Sequence, residues 1–178
     1  MALSEMIEER RRDVAHMRNI TIMSRQSVKN LLPMLDHDVA VISISSVSGI
    51  PFTQLDDAEH VVKVLHLIFD DVLADDPNPM TEDDARCVVA FLRSLPDGLP
   101  LIVHCDGGVS RSAGVGAACM LIENGDDMPV FNSARYVPNM TCYRRVLNAA
   151  FDDVDDVEVD EKEKINERVW WAVHGDYH

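Results

Sequence analysis

Residues 99–122, LPLIVHCDGGVSRSAGVGAACMLI, place an apolar run, a loop with two adjacent glycines and a stretch of small residues in direct succession. A short apolar run bounded by turn residues reads as a strand covered on both faces, and such strands belong to parallel sheets flanked by helices. Ala113, Gly114, Gly116, Ala117 and Ala118 are small enough to let the following helix lie close on that sheet. This strand–loop–helix unit commits the chain to an α/β fold, because a parallel strand needs parallel neighbours and each neighbour needs a crossover.

The rest of the chain supplies those units. Ser24 reads as an N-cap, with Val28, Leu31 and Leu32 on one helical face and Pro33 near the end. Residues 39–44 (VAVISI) and 61–69 (VVKVLHLIF) read as strands. Thr81 caps a helix whose first turn holds Glu82, Asp83 and Asp84 and whose buried face is Val88, Phe91, Leu92 and Leu95. Asn124-Gly125 stops the helix after the glycine loop, and a further helix runs from about Pro138 to Phe151. The expected architecture is a single α/β domain with a short, mostly parallel central sheet flanked by helices. Residues 1–20 read as an N-terminal arm or helix, 21–151 as the catalytic domain, and 152–178 as an acidic linker and C-terminal tail.

The loop between Cys105 and Arg111 has the parts needed to hold a tetrahedral oxyanion and attack it. Gly107 and Gly108 relax the backbone so that the N–H groups of Asp106, Gly107, Gly108, Val109 and Ser110 can turn inward at a helix N-terminus, where negative charge is favoured. A cysteine at the mouth of such a nest is expected to act as an anionic nucleophile. Arg111 presents a planar fork of donors to two phosphate oxygens at once. Cys87 and Arg93 repeat the spacing, but the residues between them are all apolar, lie in a helical segment and contain no glycine. That pair forms no nest, and Cys87 reads as a core residue.

HCDGGVSRSAG, residues 104–114, resembles the signature of the cysteine-dependent protein tyrosine phosphatases, in particular their small dual-specificity-like branch. The resemblance runs from about Ser24 to Asn148. It implies thiolate attack on phosphorus, a thiophosphoryl enzyme and hydrolysis by water, with no metal and no cofactor. It further implies that Ser112 helps the thiolate depart and that His104 buttresses the loop by hydrogen bonding without acting as a base. Asp106 departs from comfort at an anion site, is expected to point outward, and argues against a highly phosphorylated substrate.

Such chemistry needs an acid to protonate the leaving oxygen and then to take a proton from water. Asp70, Asp71, Asp75 and Asp76 lie together beyond the strand of residues 61–69, at the carboxyl end where ligands gather in α/β sheets. Asp71, 34 residues before Cys105 (105 − 71), is favoured by the resemblance, which places the acid on a loop at about this distance. Asn139 is read first as a helix start and second as a residue that orients the loop or the attacking water. Arg144 and Arg145 are read as surface partners of the acidic tail, and His66 as a polar, edge-facing side chain.

The net charge of −15 disfavours nucleic acid and anionic membranes and suits a phosphorylated protein or peptide with basic flanks. Four cysteines without framework spacing and no early apolar run suggest a reduced, cytoplasmic setting. Arg10, Arg11 and Arg12 form a short basic run, read as part of a solvated helix in preference to a docking element. Eight of the twelve residues 152–163 are acidic and read as a solvated linker, followed by a tail around Trp170 and Trp171 that folds back on the domain. Two other chemistries fit the loop: a module that binds phosphate without turnover, and a sulfur enzyme of the rhodanese or arsenate reductase kind. The second is disfavoured by the absence of a resolving cysteine near Cys105 in sequence.

Overall fold

The computed structural model describes residues 3–12 and 17–175. Helix α1 (Leu3–Arg12) leads to β1 (Ile20–Ser24), α2 (Arg25–Leu31), β2 (Val39–Ser45) and β3 (Val61–Ile68). There follow α3 (Glu82–Arg93), β4 (Leu101–Cys105), α4 (Arg111–Asn124), α5 (Met128–Phe131), α6 (Met140–Ala150) and α7 (Asp156–His174). The four strands form one all-parallel sheet in the order β1-β4-β2-β3.

The two inner strands are the most apolar because they are covered twice. Every residue of β2 and β4 is buried. Ala40, Ile42 and Ile44 of β2 join Leu101, Val103 and Cys105 of β4 on the face packed by α3, α4 and α6. Val39, Val41 and Ile102 face the other way, onto Val28 of α2, Phe52 and Leu55. This is the two-residue alternation of a pleated strand with a layer on each side. Helix α4 lies at the centre, with residues from Arg111 to Leu121 buried on nearly every side. Its small residues permit this, since a Cβ added at Gly114 would stand 2.3 Å from the Asn139 carbonyl oxygen.

The helix signals hold. Ser24 Oγ accepts from Ser27 N, and Thr81 with Asp84 forms a reciprocal capping box. Gly125 closes α4 in the left-handed region at φ 69°. His66 stands on the edge strand β3, bonded to Asp56.

Several expectations are corrected. The residues before Arg25 hold a strand beyond the expected ones: the ITIMS of β1 pairs in register with β4 from Ile20↔Leu101 to Ser24↔Cys105. An exposed edge strand with one buried face has too few apolar residues to stand out. Leu3 and Met6 of α1 are buried against the main core, so the N-terminal segment is not simply a solvated arm. The side chains of Arg10, Arg11 and Arg12 lie outside the described residues, as does the chain over 13–16. Cys87 is exposed on α3, not buried, because Ala85, Val88, Val89, Phe91 and Leu92 take the inward face.

The largest correction concerns the acidic stretch, most of which is helix. Asp155 caps α7, whose Val159, Lys162 and Asn166 are buried against the domain. Lys162 Nζ donates to Asp127 Oδ2 at 2.8 Å and to Tyr143 Oη at 3.0 Å, and Tyr143 Oη also donates to Asp127. Asn166 Nδ2 donates to the Phe131 and Ser133 carbonyls. Trp170 and Trp171 therefore do sit on an element folded back on the domain, and Arg144 pairs with Asp156 and Asp160 of that helix.

Candidate active site

Parallel strands all deliver their carboxyl ends to one edge of the sheet. Here that edge collects Arg25 after β1, Ser46 after β2, Asp70 and Asp71 after β3, and the Cys105–Arg111 loop after β4. The topology thereby brings Asp71 to the same edge as the Cys105–Arg111 loop, with Asn139 entering from the turn before α6.

Cys105 is the last residue of β4 and is 3% exposed. Gly108 N donates to Cys105 Sγ at 3.3 Å, and Ser112 Oγ lies 3.1 Å from the same sulfur. The two glycines differ in what they do. Gly108 has φ 68°, and a Cβ there would stand 2.4 Å from Ser24 N, so both backbone angle and space demand glycine. A Cβ at Gly107 would meet open space, which corrects the expectation that both are needed to shape the loop.

Arg111 opens α4 with its side chain almost wholly buried. Its Nη1 donates to Ser46 Oγ and to the Phe69 carbonyl, each at 3.0 Å, and its Nη2 donates to Asp106 Oδ2 at 2.9 Å. Its Nε is buried without a hydrogen-bond partner. Asp106 was expected to point outward; instead it turns onto the guanidinium and also faces Arg25 Nε at 3.2 Å. Partial burial works to raise its pKa, but Arg111 and then Arg25 outweigh this and hold the carboxyl below its usual range. The inward turn follows from charge: two guanidiniums stand where the sequence shows only one neighbour.

Among the four acidic candidates, the structure separates one. Asp71 Oδ1 accepts from Ser110 Oγ of the loop at 2.8 Å and from Asn139 Nδ2 at 2.9 Å. Asp70 instead ties its own loop together, accepting from Val47 N and Asn78 Nδ2, and Asp76 accepts from Leu73 N. Asn139 is the helix start expected of it, its Oδ1 accepting from Cys142 N as the cap of α6, while its Nδ2 reaches Asp71 and the Val72 carbonyl. Beside Asp71 a depression of about 400 Å³ is walled by Ser110, Val137, Asn139 and Glu163.

His104 is fully buried, edge-on to Phe52 at 5.3 Å between ring centroids, and neither ring nitrogen has a hydrogen-bond partner. The hydrogen bond expected of it is not made, and the ring packs on Phe52 instead. Burial lowers its pKa to about 4, against the opposing pull of the Cys105 backbone, so the ring is neutral at pH 7.

Sequence reasoning missed Arg25, Ser46 and Cys142. Arg25 and Ser46 follow strand ends, the one signal available, but no spacing links them to Cys105. Cys142, on α6, is buried near Asp71, and burial first and Asp71 second push its thiol up against the pull of Arg111. Among the described residues, no group of three His, Cys, Asp or Glu side chains is placed to hold a metal ion.

No protein-family model and no curated protein matches the chain. Among solved structures it is similar to Tk-PTP in its active form, at 21% identity over 84% of this chain and 90% of that one, with a TM-score of 0.42. It is similar to PTPMT1 in complex with PI(5)P at 15% identity, over 87% and 94% of the two chains, with a TM-score of 0.38. Human DUSP28 gives 16% identity, 86% and 94% coverage and a TM-score of 0.39.

Proposed function

We propose that this protein is a cysteine-dependent phosphomonoester hydrolase of tyrosine or dual specificity, acting on a phosphorylated protein or peptide. The observation that carries the reading is the convergence on Cys105 Sγ of a loop amide and the Ser112 hydroxyl, one loop away from a carboxylate held by Ser110 and Asn139.

The substrate phosphate lies in the loop with its oxygens on the amides and on Arg111, whose buried Nε supplies an unused donor. Cys105 thiolate attacks phosphorus, an S–P bond forms, and the P–O ester bond breaks. Asp71, protonated, gives its proton to the leaving oxygen. Water then attacks phosphorus and passes a proton to Asp71, while the S–P bond breaks and Ser112 Oγ donates a hydrogen bond to the departing thiolate. Arg111 follows the shifting charge through both steps. The nucleophile, the acid and base, and the anion-binding donors in this scheme are all groups of the chain.

Hydrolysis of an activated aryl phosphate in the presence of a chelator tests the reading. Cys105→Ser is expected to abolish turnover, and Asp71→Asn to slow it by roughly 10²-fold or more on a poor leaving group. Vanadate is expected to inhibit. Phosphate binding without turnover would favour the capture module, and thiosulfate or arsenate activity without phosphate release would favour the sulfur enzyme.

A further inference from the structure

We propose that α7 forms the substrate-reading surface, taking the part of a phosphopeptide beyond the phosphorylated residue and selecting a basic side chain beside it and an apolar one three to four positions further on. The proposal rests on the phosphatase reading of the Cys105 loop and names the substrate class for it.

Continuity with the loop comes through Val137. Its N–H donates to the Val109 carbonyl at 3.1 Å, and its side chain is about half exposed. Val137 lines two depressions at once. One holds Asp71, Asp76 and Glu163; the other, of about 230 Å³, holds Asn166, Glu167, Trp170 and Trp171. The α7 residues among these are spaced by three and four, so they form one stripe of the helix. Asn166 fixes that stripe by its two bonds to carbonyls of the domain. From Glu163 to Trp171 the helix rises about 12 Å, which three to four extended residues span.

Charge states what the near end accepts. The cations of α7 are already engaged: Lys162 with Asp127, Lys164 with Glu161, and Arg168 with the Lys164 carbonyl. Glu163 and Glu167 stand four apart on α7, a repulsive arrangement on a helix. Burial first, and Glu167 second, push the Glu163 carboxyl up against the pull of Arg144, whose guanidinium is already held by Asp156 and Asp160. A lysine or arginine from outside would relieve both. At the far end Trp171 is 61% exposed, with its ring edge-on to Trp170 at 5.2 Å, a large apolar face that also accepts cationic stems.

The chain's only tryptophans are these two, so their fluorescence reports occupancy directly. The test uses the full chain and synthetic phosphotyrosine peptides that differ only in flanks: Arg, Ala or Glu beside the phosphotyrosine, on either side, and Leu or Ala three and four positions beyond. The Cys105→Ser variant is titrated with each peptide while tryptophan emission is followed, and kcat/KM is measured on the active protein. The Arg-Leu peptide is expected to bind at least about fivefold more tightly than the Glu-Ala peptide and to shift the emission. Glu163→Gln with Glu167→Gln is expected to erase the Arg preference, and Trp171→Ala the Leu preference, both read as ratios between peptides so that any effect on chemistry cancels. Equal affinity across the flanks, unshifted emission, or preferences that survive the substitutions would overturn the proposal. Flank preference in binding with no hydrolysis of any phosphate would leave it standing and remove the catalytic reading instead.

Discussion

At the scale of single residues, the candidate site is built around competition for Arg111. Asp106 occupies part of the fork that the proposed function assigns to a substrate phosphate, and because Arg111 and Arg25 keep its carboxyl ionised, this competition would persist throughout the neutral range. Asp106→Asn keeps the shape and removes the charge; it is expected to tighten inhibition by inorganic phosphate or vanadate by roughly three- to tenfold. Weaker inhibition would mean that Asp106 serves to aim Arg111 and does not compete. His104 gives a second prediction at this scale. Its pKa falls from 6.5 to about 4 on folding, so the unfolded chain binds more protons between those values and stability rises with pH across that window. This one residue is expected to withdraw about 3 kcal/mol as pH drops from 6.5 to 4, with no effect above 6.5. Urea denaturation at a series of pH values should show that slope flattened in His104→Asn.

At the scale of elements, what decides the loop is where its backbone is forced against β1. Gly108 packs on the Met23–Ser24 backbone with a positive φ, whereas Gly107 faces open space. Gly108→Ala is therefore expected to cost about 1–2 kcal/mol from the backbone angle alone, more from the clash, while Gly107→Ala should stay within about 0.5 kcal/mol. Thermal melts of the two variants compare the positions directly; equal losses would show that the loop is not pinned at Gly108. The pairing Ser24↔Cys105 explains the difference, because the strand that escapes notice in the sequence is the one against which the loop closes.

On the scale of the whole molecule, α7 is joined to the domain by the Lys162–Asp127–Tyr143 cluster, buried at the junction of α5, α6 and α7. Removing one partner leaves a buried charge uncompensated. Lys162→Met is expected to lose about 3–5 kcal/mol, and Lys162→Met with Asp127→Asn to recover much of that loss. Additive losses in chemical denaturation would show that the two groups are not coupled. The same helix places Glu163 in the depression beside Asp71 and Trp171 in the neighbouring one, so the domain's stability and its outer surface depend on one element. The described residues contain no helix long and apolar enough to cross a membrane.

The sequence by itself determined the parallel α/β plan, the caps Ser24, Thr81 and Asn139, and the pairing of Cys105 with Arg111 in one loop. These depend on interactions between near neighbours: apolar alternation, turn residues and a helix start are written in consecutive positions. Tertiary structure decided which of four aspartates meets the loop, because Ser110 and Asn139 lie 39 and 68 residues from Asp71 and only the sheet's shared carboxyl edge brings them to it. It also decided that Asp106 turns inward and that the acidic stretch is mostly helix. In both cases a charge that looks solvated in sequence is held by cations from distant elements, Arg25 for one and Arg144 for the other. Charge acts through space, and a run of carboxylates carries no record of which arginines the fold will bring to it.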